Sequence, residues 1–359
     1  MSQTVKFNST TPAAPSGNTN VTWQTDGTNI SGYLPSGVGA SYMDILSQDK
    51  PTGTLACSQQ GPVSVASGAT QNLLSYSGSD GYVDSMLIAF DGAGTLNACT
   101  LEIYYDGEES PTVSVPLNEF FMANYEPQTV SSKYLIYGNL SGLASYYSKI
   151  PIPFTNSITI ALVNTSGNSI TLYSTVEYQT GVPNTWTNTR KLRVAWIDDQ
   201  AGIAANSTVS LVNYSGGAGR LLGVWMLEDD YPGGVSPAGA TLEGAITTTI
   251  DGGTPLVSSG TEDFFGLGFY GRPFYTNAPG GGAVDAPYFP FSAGGQENGL
   301  AFINEATPGL TTSLFRFFSL QRRLFTESLS ITWNCGNTSR VSFTGTGTLW
   351  AAVWYYTED

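Results

Sequence analysis

One phrase, written twice, limits what this chain can fold into. Leu242 to Phe265 reads LEGAITTTIDGGTPLVSSGTEDFF, and Leu101 to Phe121 reads LEIYYDGEESPTVSVPLNEFF. Both run from a half-apolar stretch through an Asp-Gly turn into a second short stretch, then to an acidic residue and Phe-Phe. Such stretches flanking an Asp-Gly turn read as paired strands. Each copy is followed by a further matching phrase, PFTNSITI from Pro153 and LFTESLSI from Leu324. The spacing between copies is too long for a solenoid, so the expectation is two similar β domains in tandem.

Composition supports the β reading. Gly 42 and Pro 19, with charged residues at only 11%, favour many short strands joined by turns. The one segment near helical spacing is Ser36 to Gln48, through Tyr42, Ile45 and Leu46. Lys+Arg 13 against Asp+Glu 28 gives a net charge of -15, which repels phosphate backbones and anionic bilayers. Nucleic acid is therefore not an expected partner, and no apolar run is long enough for membrane insertion. The first residues lack the basic and apolar regions of a signal peptide, so the expected exit from a cell is inside a particle released at lysis. Histidine is absent, which removes Ser-His-Asp and Cys-His chemistry and the commonest transition-metal ligand. Cys57, Cys99 and Cys335 are far apart and form neither a ligand cluster nor a disulfide framework. No D-x-D-x-D-G loop is present, and no metal or other cofactor is expected.

In order, the chain divides into an N-terminal arm and lead-in (1–53), a first β domain (54–178), a linker (179–190) and a second β domain (191–359). Met1 to Pro35 is polar, with single apolar residues at Phe7, Val21, Trp23, Ile30, Tyr33 and Leu34. Too poor in apolar residues to bury a core alone, it is expected to be an arm that orders against a neighbour. Its phrases NSTTPAAP and VTWQTD resemble the short N-terminal pieces of bacteriophage tail and virion proteins. Between Gly266 and Gly309 lies a long Gly, Pro and aromatic stretch of the kind that serves function or an interface.

The ordered phrases Leu101 to Phe121, IPIPF from Ile150, RLLGV from Arg220, LEG from Leu242, Asp251-Gly252, GTEDFF from Gly260 and Phe315-Arg316-Phe317 resemble a bacterial double jelly-roll family that includes glycoside hydrolase family 172. The likeness runs from about residue 80 to 357. It implies an all-β fold of two tandem jelly-roll domains, assembled as a homotrimer, an architecture shared with viral capsid proteins. For a family member it also implies hydrolysis of fructofuranose or arabinofuranose linkages, with Glu262 as nucleophile.

A retaining glycosidase needs a nucleophilic carboxylate and a second carboxyl about 5 Å away. Downstream of Glu262 the sequence offers Asp285, Glu297 and Glu305, with Asp285 taken as the acid/base candidate. Phe264 and Phe318 stand where the family usually has Tyr and His. Glu243 and Asp263 are candidates for holding the sugar or the loop, and Arg272 for a polar clamp. Trp225, Tyr270 and Tyr275 are candidates for stacking on a sugar face. The other reading of Glu262 and Asp263 is that they accept backbone hydrogen bonds and fix a turn. Asp106, Glu108, Glu109 and Glu119 read as solvated turn residues or loop-fixing groups.

Three functions follow. The leading one is a bacteriophage virion structural protein, a capsid or tail appendage, tied to other virion proteins by its arm. The alternative is a retaining glycoside hydrolase acting on furanosidic linkages. The third is a module that binds a cell-surface or extracellular glycan with no chemistry.

Overall fold

The computed structural model describes residues 18–25, 28–35, 53–91, 99–124, 130–140, 143–182, 191–232, 240–266, 297–304, 309–318, 323–336 and 346–358. The segment expected as helix, Ser36 to Gln48, lies outside them. The chain forms two compact units, Met1–Pro51 and Thr52–Asp359. In the first, β1 (Asn18–Thr25) and β2 (Thr28–Pro35) pair antiparallel, Val21 opposite Gly32 and Trp23 opposite Ile30.

The second unit holds four antiparallel sheets. In the first half, β3 (Thr54–Val65), β13 (Ile170–Thr180), β5 (Gly81–Asp91), β10 (Leu143–Ser148), β9 (Leu135–Leu140) and β8 (Val130–Ser131) lie side by side, and β11 (Ile152–Phe154) also pairs with β5. Facing them are β4 (Thr70–Ser77), β12 (Ser157–Asn164), β6 (Cys99–Tyr105) and β7 (Val113–Pro116). The second half repeats this order. Its large sheet runs β14 (Lys191–Ala204), β23 (Thr346–Thr357), β16 (Gly219–Pro232), β20 (Gly309–Phe317), β19 (Asn298–Asn304), with β21 (Arg323–Phe325) on β16. Its small sheet runs β15 (Thr208–Tyr214), β22 (Leu329–Asn334), β17 (Ile246–Ile250), β18 (Leu256–Val257).

Two sheets whose neighbours alternate between early and late strands are jelly rolls. The chain is all-β, with two of them.

The repetition reaches single residues. Asp106 and Asp251 both adopt positive φ, 51° and 52°, in the turn after β6 and after β17. The Asp106 carboxylate accepts the N–H groups of Asn156 and Ser157, at 2.7 and 3.0 Å. Asp251 accepts those of Thr326, Glu327 and Ser328, at 2.7 to 3.0 Å. Those backbone donors hold the Asp251 carboxyl down to about 2. This is why the Asp-Gly turn and the later PFTNS or LFTES phrase travel together.

After β7 comes α1 (Leu117–Phe121), and after β18 comes α2 (Thr261–Phe264), each a single turn at the same place in its jelly roll.

The centre of the large sheet of the second jelly roll, β16 and β23, is covered on both faces. Leu221, Val224, Met226, Ala351 and Val353 turn inward to their own small sheet. The alternate residues Leu222, Trp225, Leu227, Ala352 and Trp354 join the core of the first jelly roll. On that side α1, β7 and β11 pack against β14, and α1 also reaches β23. Phe120 meets Trp354 edge-on at 6.4 Å and Tyr134 meets Phe317 at 5.1 Å. Polar contacts fix the register: Leu192 N–H donates to Tyr105 Oη (3.0 Å), Trp196 Nε1 to the Ser114 carbonyl (2.8 Å), and Tyr356 Oη to the Pro151 carbonyl (2.8 Å).

Because this core is shared, the two jelly rolls are expected to unfold in one transition. Trp354→Ala should destabilise both by about 3–5 kcal/mol. Urea melts followed by tryptophan fluorescence and by circular dichroism check this; two separate transitions, or loss of one jelly roll alone, would contradict the shared core.

Candidate functional site

The Gly-Thr-Glu-Asp motif forms α2 and its entry. Gly260 is extended there, and a Cβ on it would come within 2.7 Å of Glu262 Oε2 and 3.0 Å of the Leu242 carbonyl. Only glycine lets the Glu262 carboxyl fold back over the start of its own turn.

Thr261 is fully buried. Its hydroxyl donates to the Gly244 carbonyl (2.7 Å) and accepts the indole N–H of Trp333 (2.9 Å), so both capacities are spent on the scaffold. The exit is held as tightly. Asn298 Nδ2 donates to the Phe265 carbonyl (3.0 Å), and Arg316 Nη1 donates to the Phe264 carbonyl. The Arg316 guanidinium also lies over the rings of Phe318 (4.9 Å) and Phe264 (5.5 Å). Phe264 and Phe318, where the family pattern has Tyr and His, meet edge to face at 6.1 Å with the arginine against both rings.

Glu262 is 8% exposed, and its Oε2 has no hydrogen-bond partner among the described residues. Burial pushes its carboxyl up to about 7; the charges of Asp263 and Glu243 add to this, and its own backbone N–H opposes it. Glu243 closes a 3-10 turn (Ala240–Glu243) that packs on α2, which brings it close enough to act on Glu262. Asp263 points outward and accepts a hydrogen bond from Ser259. The structure thus brings Glu243, Glu262 and Asp263 together.

Trp225 is placed elsewhere. It is fully buried between the jelly rolls with its indole N–H on Ser313 Oγ (2.8 Å), so no sugar face reaches it; continuous apolar sequence around it reflects a sheet covered on both sides. Glu297 pairs with Lys133 at 2.9 Å, across to the first jelly roll. Asp285, Arg272, Tyr270, Tyr275 and Glu305 lie outside the described residues.

In the first jelly roll, Glu108 pairs with Lys191 (2.6 Å) and also accepts the Tyr105 N–H and the Thr112 hydroxyl. Glu119 is not a solvated turn residue: it is 2% exposed on α1, and burial raises its carboxyl to about 7, with the Asp198 charge adding to this and Asn124 opposing it. Its place in the repeated phrase, just before Phe-Phe, was the signal for burial. Among the described residues no three histidine, cysteine or acidic side chains are arranged to hold a metal ion, and no helix is long and apolar enough to cross a membrane.

An ionised carboxylate is what a glycosidase nucleophile requires, whereas a carboxyl that titrates near 7 serves as a proton donor or a neutral buried group. The geometry therefore defines a double jelly-roll protein with a buried acidic turn. Residues 56–176, the first jelly roll, match the family described as GH172 domain-like. No curated protein sequence matches the chain. Among solved structures, the major capsid protein P2 from bacteriophage PM2 is similar at 9% identity, with 85% of this chain and 98% of that one covered and a TM-score of 0.45. The STIV major capsid protein is similar at 12% identity, covering 85% and 97%, with a TM-score of 0.41. The jelly-roll assignment itself rests on the strand order.

The raised carboxyl has a testable sign. Glu262 holds its proton more tightly folded than unfolded, so the folded state loses stability as pH rises from 4.5 through about 7. Glu262→Gln cannot ionise and should be more stable than the parent at pH 8, by up to about 3 kcal/mol. The difference should disappear below pH 4.5 in urea melts; one that does not change with pH would contradict the assignment.

Proposed function

We propose that this protein is a structural subunit of a bacteriophage virion, a homotrimeric double jelly roll in the head or a tail appendage, in which the Gly-Thr-Glu-Asp turn is a brace. The observation that carries this reading is the direction of the motif's polar groups. Thr261, the Phe264 and Phe265 carbonyls and Ser259 with Asp263 all bond to the chain's own scaffold, and Glu262 is shielded from water. A net charge of -15 suits a soluble shell component that binds no nucleic acid. The N-terminal hairpin suits an arm, because a two-stranded ribbon alone is marginal in water and gains stability against a neighbour.

Deleting Met1 to Pro35 is expected to leave a soluble oligomer that no longer enters particles when supplied in infected cells. Incorporation at the parent level would overturn the arm's role.

A second reading has a specific observation in its favour. Glu262 Oε2 is left without a partner beside Glu243 and Asp263, and the first jelly roll matches a GH172 domain-like family. In that reading the chain is a retaining hydrolase of furanosidic linkages, with Glu262 as nucleophile and Asp285 as acid/base. It requires measurable release of reducing sugar from fructofuranosides or arabinofuranosides by the parent, abolished in Glu262→Gln. No release by the parent, or equal release by both, removes it; release that vanishes in the variant would displace the structural reading of the turn.

A further inference from the structure

The small sheet of the first jelly roll, β4-β12-β6-β7, carries a cleft on its outer face that neither the virion reading nor the hydrolase reading uses. On β12, Ile158, Ile160 and Leu162 turn into the core, which leaves Ser157, Thr159 and Ala161 on the other side of the strand. These three form the floor of a cleft of about 310 Å³. Asn72 of β4 stands on one side, Tyr104 of β6 on the other, and Glu108 of the following turn closes one end. Clefts that hold small molecules start at roughly 300 Å³.

The repeat shows what is particular to this face. Thr159 pairs with Tyr104 and Ala161 with Glu102, as Ser330 pairs with Thr249 and Thr332 with Thr247. Glu108 likewise corresponds to Gly253, each two places after its turn aspartate. At these places the second jelly roll has only Ser, Thr and Gly, short residues that suit a solvated sheet. The first jelly roll keeps a floor of short side chains and adds a ring and two carboxylates. The fold itself does not require them, since the second half forms the same sheet without them.

The added groups are held in place. Tyr104 Oη donates to Glu102 Oε2 at 2.6 Å, and this bond helps to raise the phenol to about 12, so it stays neutral. A ring tied at its far end has little freedom left to lose when a ligand arrives. Glu108 is paired with Lys191 at 2.6 Å and accepts the Thr112 hydroxyl.

This chemistry selects among ligands. None of the described residues lining the cleft is basic, and Glu102 and Glu108 repel a phosphate or an acidic sugar. A cationic amine would have to compete with Lys191 for Glu108. Apolar surface is limited mostly to Tyr104 and Ala161, too little for a lipid. Ser157, Thr159 and Asn72 supply hydroxyls and an amide, which both donate and accept as a polyol demands.

We propose that this cleft binds a neutral sugar of a glycan chain, with Tyr104 against the C–H face of the ring and Asn72, Ser157 and Thr159 bonded to its hydroxyls. The site requires neither assembly into a particle nor any chemistry at Glu262.

Saturation-transfer NMR and isothermal titration of the full chain with maltotriose, cellotriose, mannotriose and chitotriose test this. At least one should bind the parent with a millimolar or tighter dissociation constant. Tyr104→Ala should weaken that binding about tenfold, whereas Tyr104→Phe, which keeps the ring, should stay within about threefold of the parent. Asn72→Ala, at an exposed residue whose loss leaves the core intact, should also weaken it by about threefold or more. Thr249→Ala, at the matching place in the second jelly roll, should bind as the parent does. Trigalacturonic acid, of similar size but anionic, should bind at least about tenfold more weakly than the best neutral sugar. No binding of any neutral sugar by the parent, parent affinity in both Tyr104→Ala and Asn72→Ala, an equal loss in Thr249→Ala, or preference for trigalacturonic acid would each overturn the proposal. Particle incorporation and release of reducing sugar are separate readouts, so failure of either leaves a different record from failure of this site.

Discussion

The structure depends on one sheet being dry on both faces. In the second jelly roll the central strands β23, β16 and β20 send alternate residues to their own small sheet and to the first jelly roll, so neither face carries the polar row that a solvated sheet would. A side chain such as Trp354 therefore contributes to the stability of both halves. The cost of this arrangement is specificity of register, because a one-residue slip in β23 would exchange the two faces. The bonds from Leu192, Trp196 and Tyr356 to the first jelly roll hold that register from outside the sheet.

The two helical turns inherit their roles from this geometry. Each follows the edge strand of its small sheet, and each carries a buried glutamate, Glu119 on α1 and Glu262 on α2. On α1 the acid lies at the seam, near Asp198 of β14. On α2 it lies against the 3-10 turn that carries Glu243. The acidic turn is thus a recurrent element of the repeat, and its conformation is fixed by Gly260, Thr261, Trp333 and Arg316 before any ligand is considered.

Much of this was written in the sequence, and the parts that were not have physical reasons. The duplicated phrase located β6, β7, α1 and their counterparts, because Asp-Gly turns at positive φ and the backbone donors they bind are local chemistry. The strands β3 and β4 were not separable from loops, since their half-exposed, Ser, Thr and Gln-rich sequences lack a continuous apolar side. Glu243, Glu262 and Asp263 could be grouped from their spacing around one turn. The burial of Trp225 could not be assigned by motif, yet the unbroken apolar run Leu221 to Leu227 already fitted a strand covered on both faces. Of the two readings of Glu119, charge alone could not choose between a solvated turn residue and a loop-fixing group; its burial and the hydrogen bond from Asn124 exclude the first.

The most direct measurement is native-state amide hydrogen exchange, read for β5 in the first jelly roll against β16 and β23 in the second. The account predicts that the slowest amides of all three strands open together, with one common free energy, because one core joins them. A first jelly roll whose slowest amides exchange well before those of β16 and β23 would contradict it.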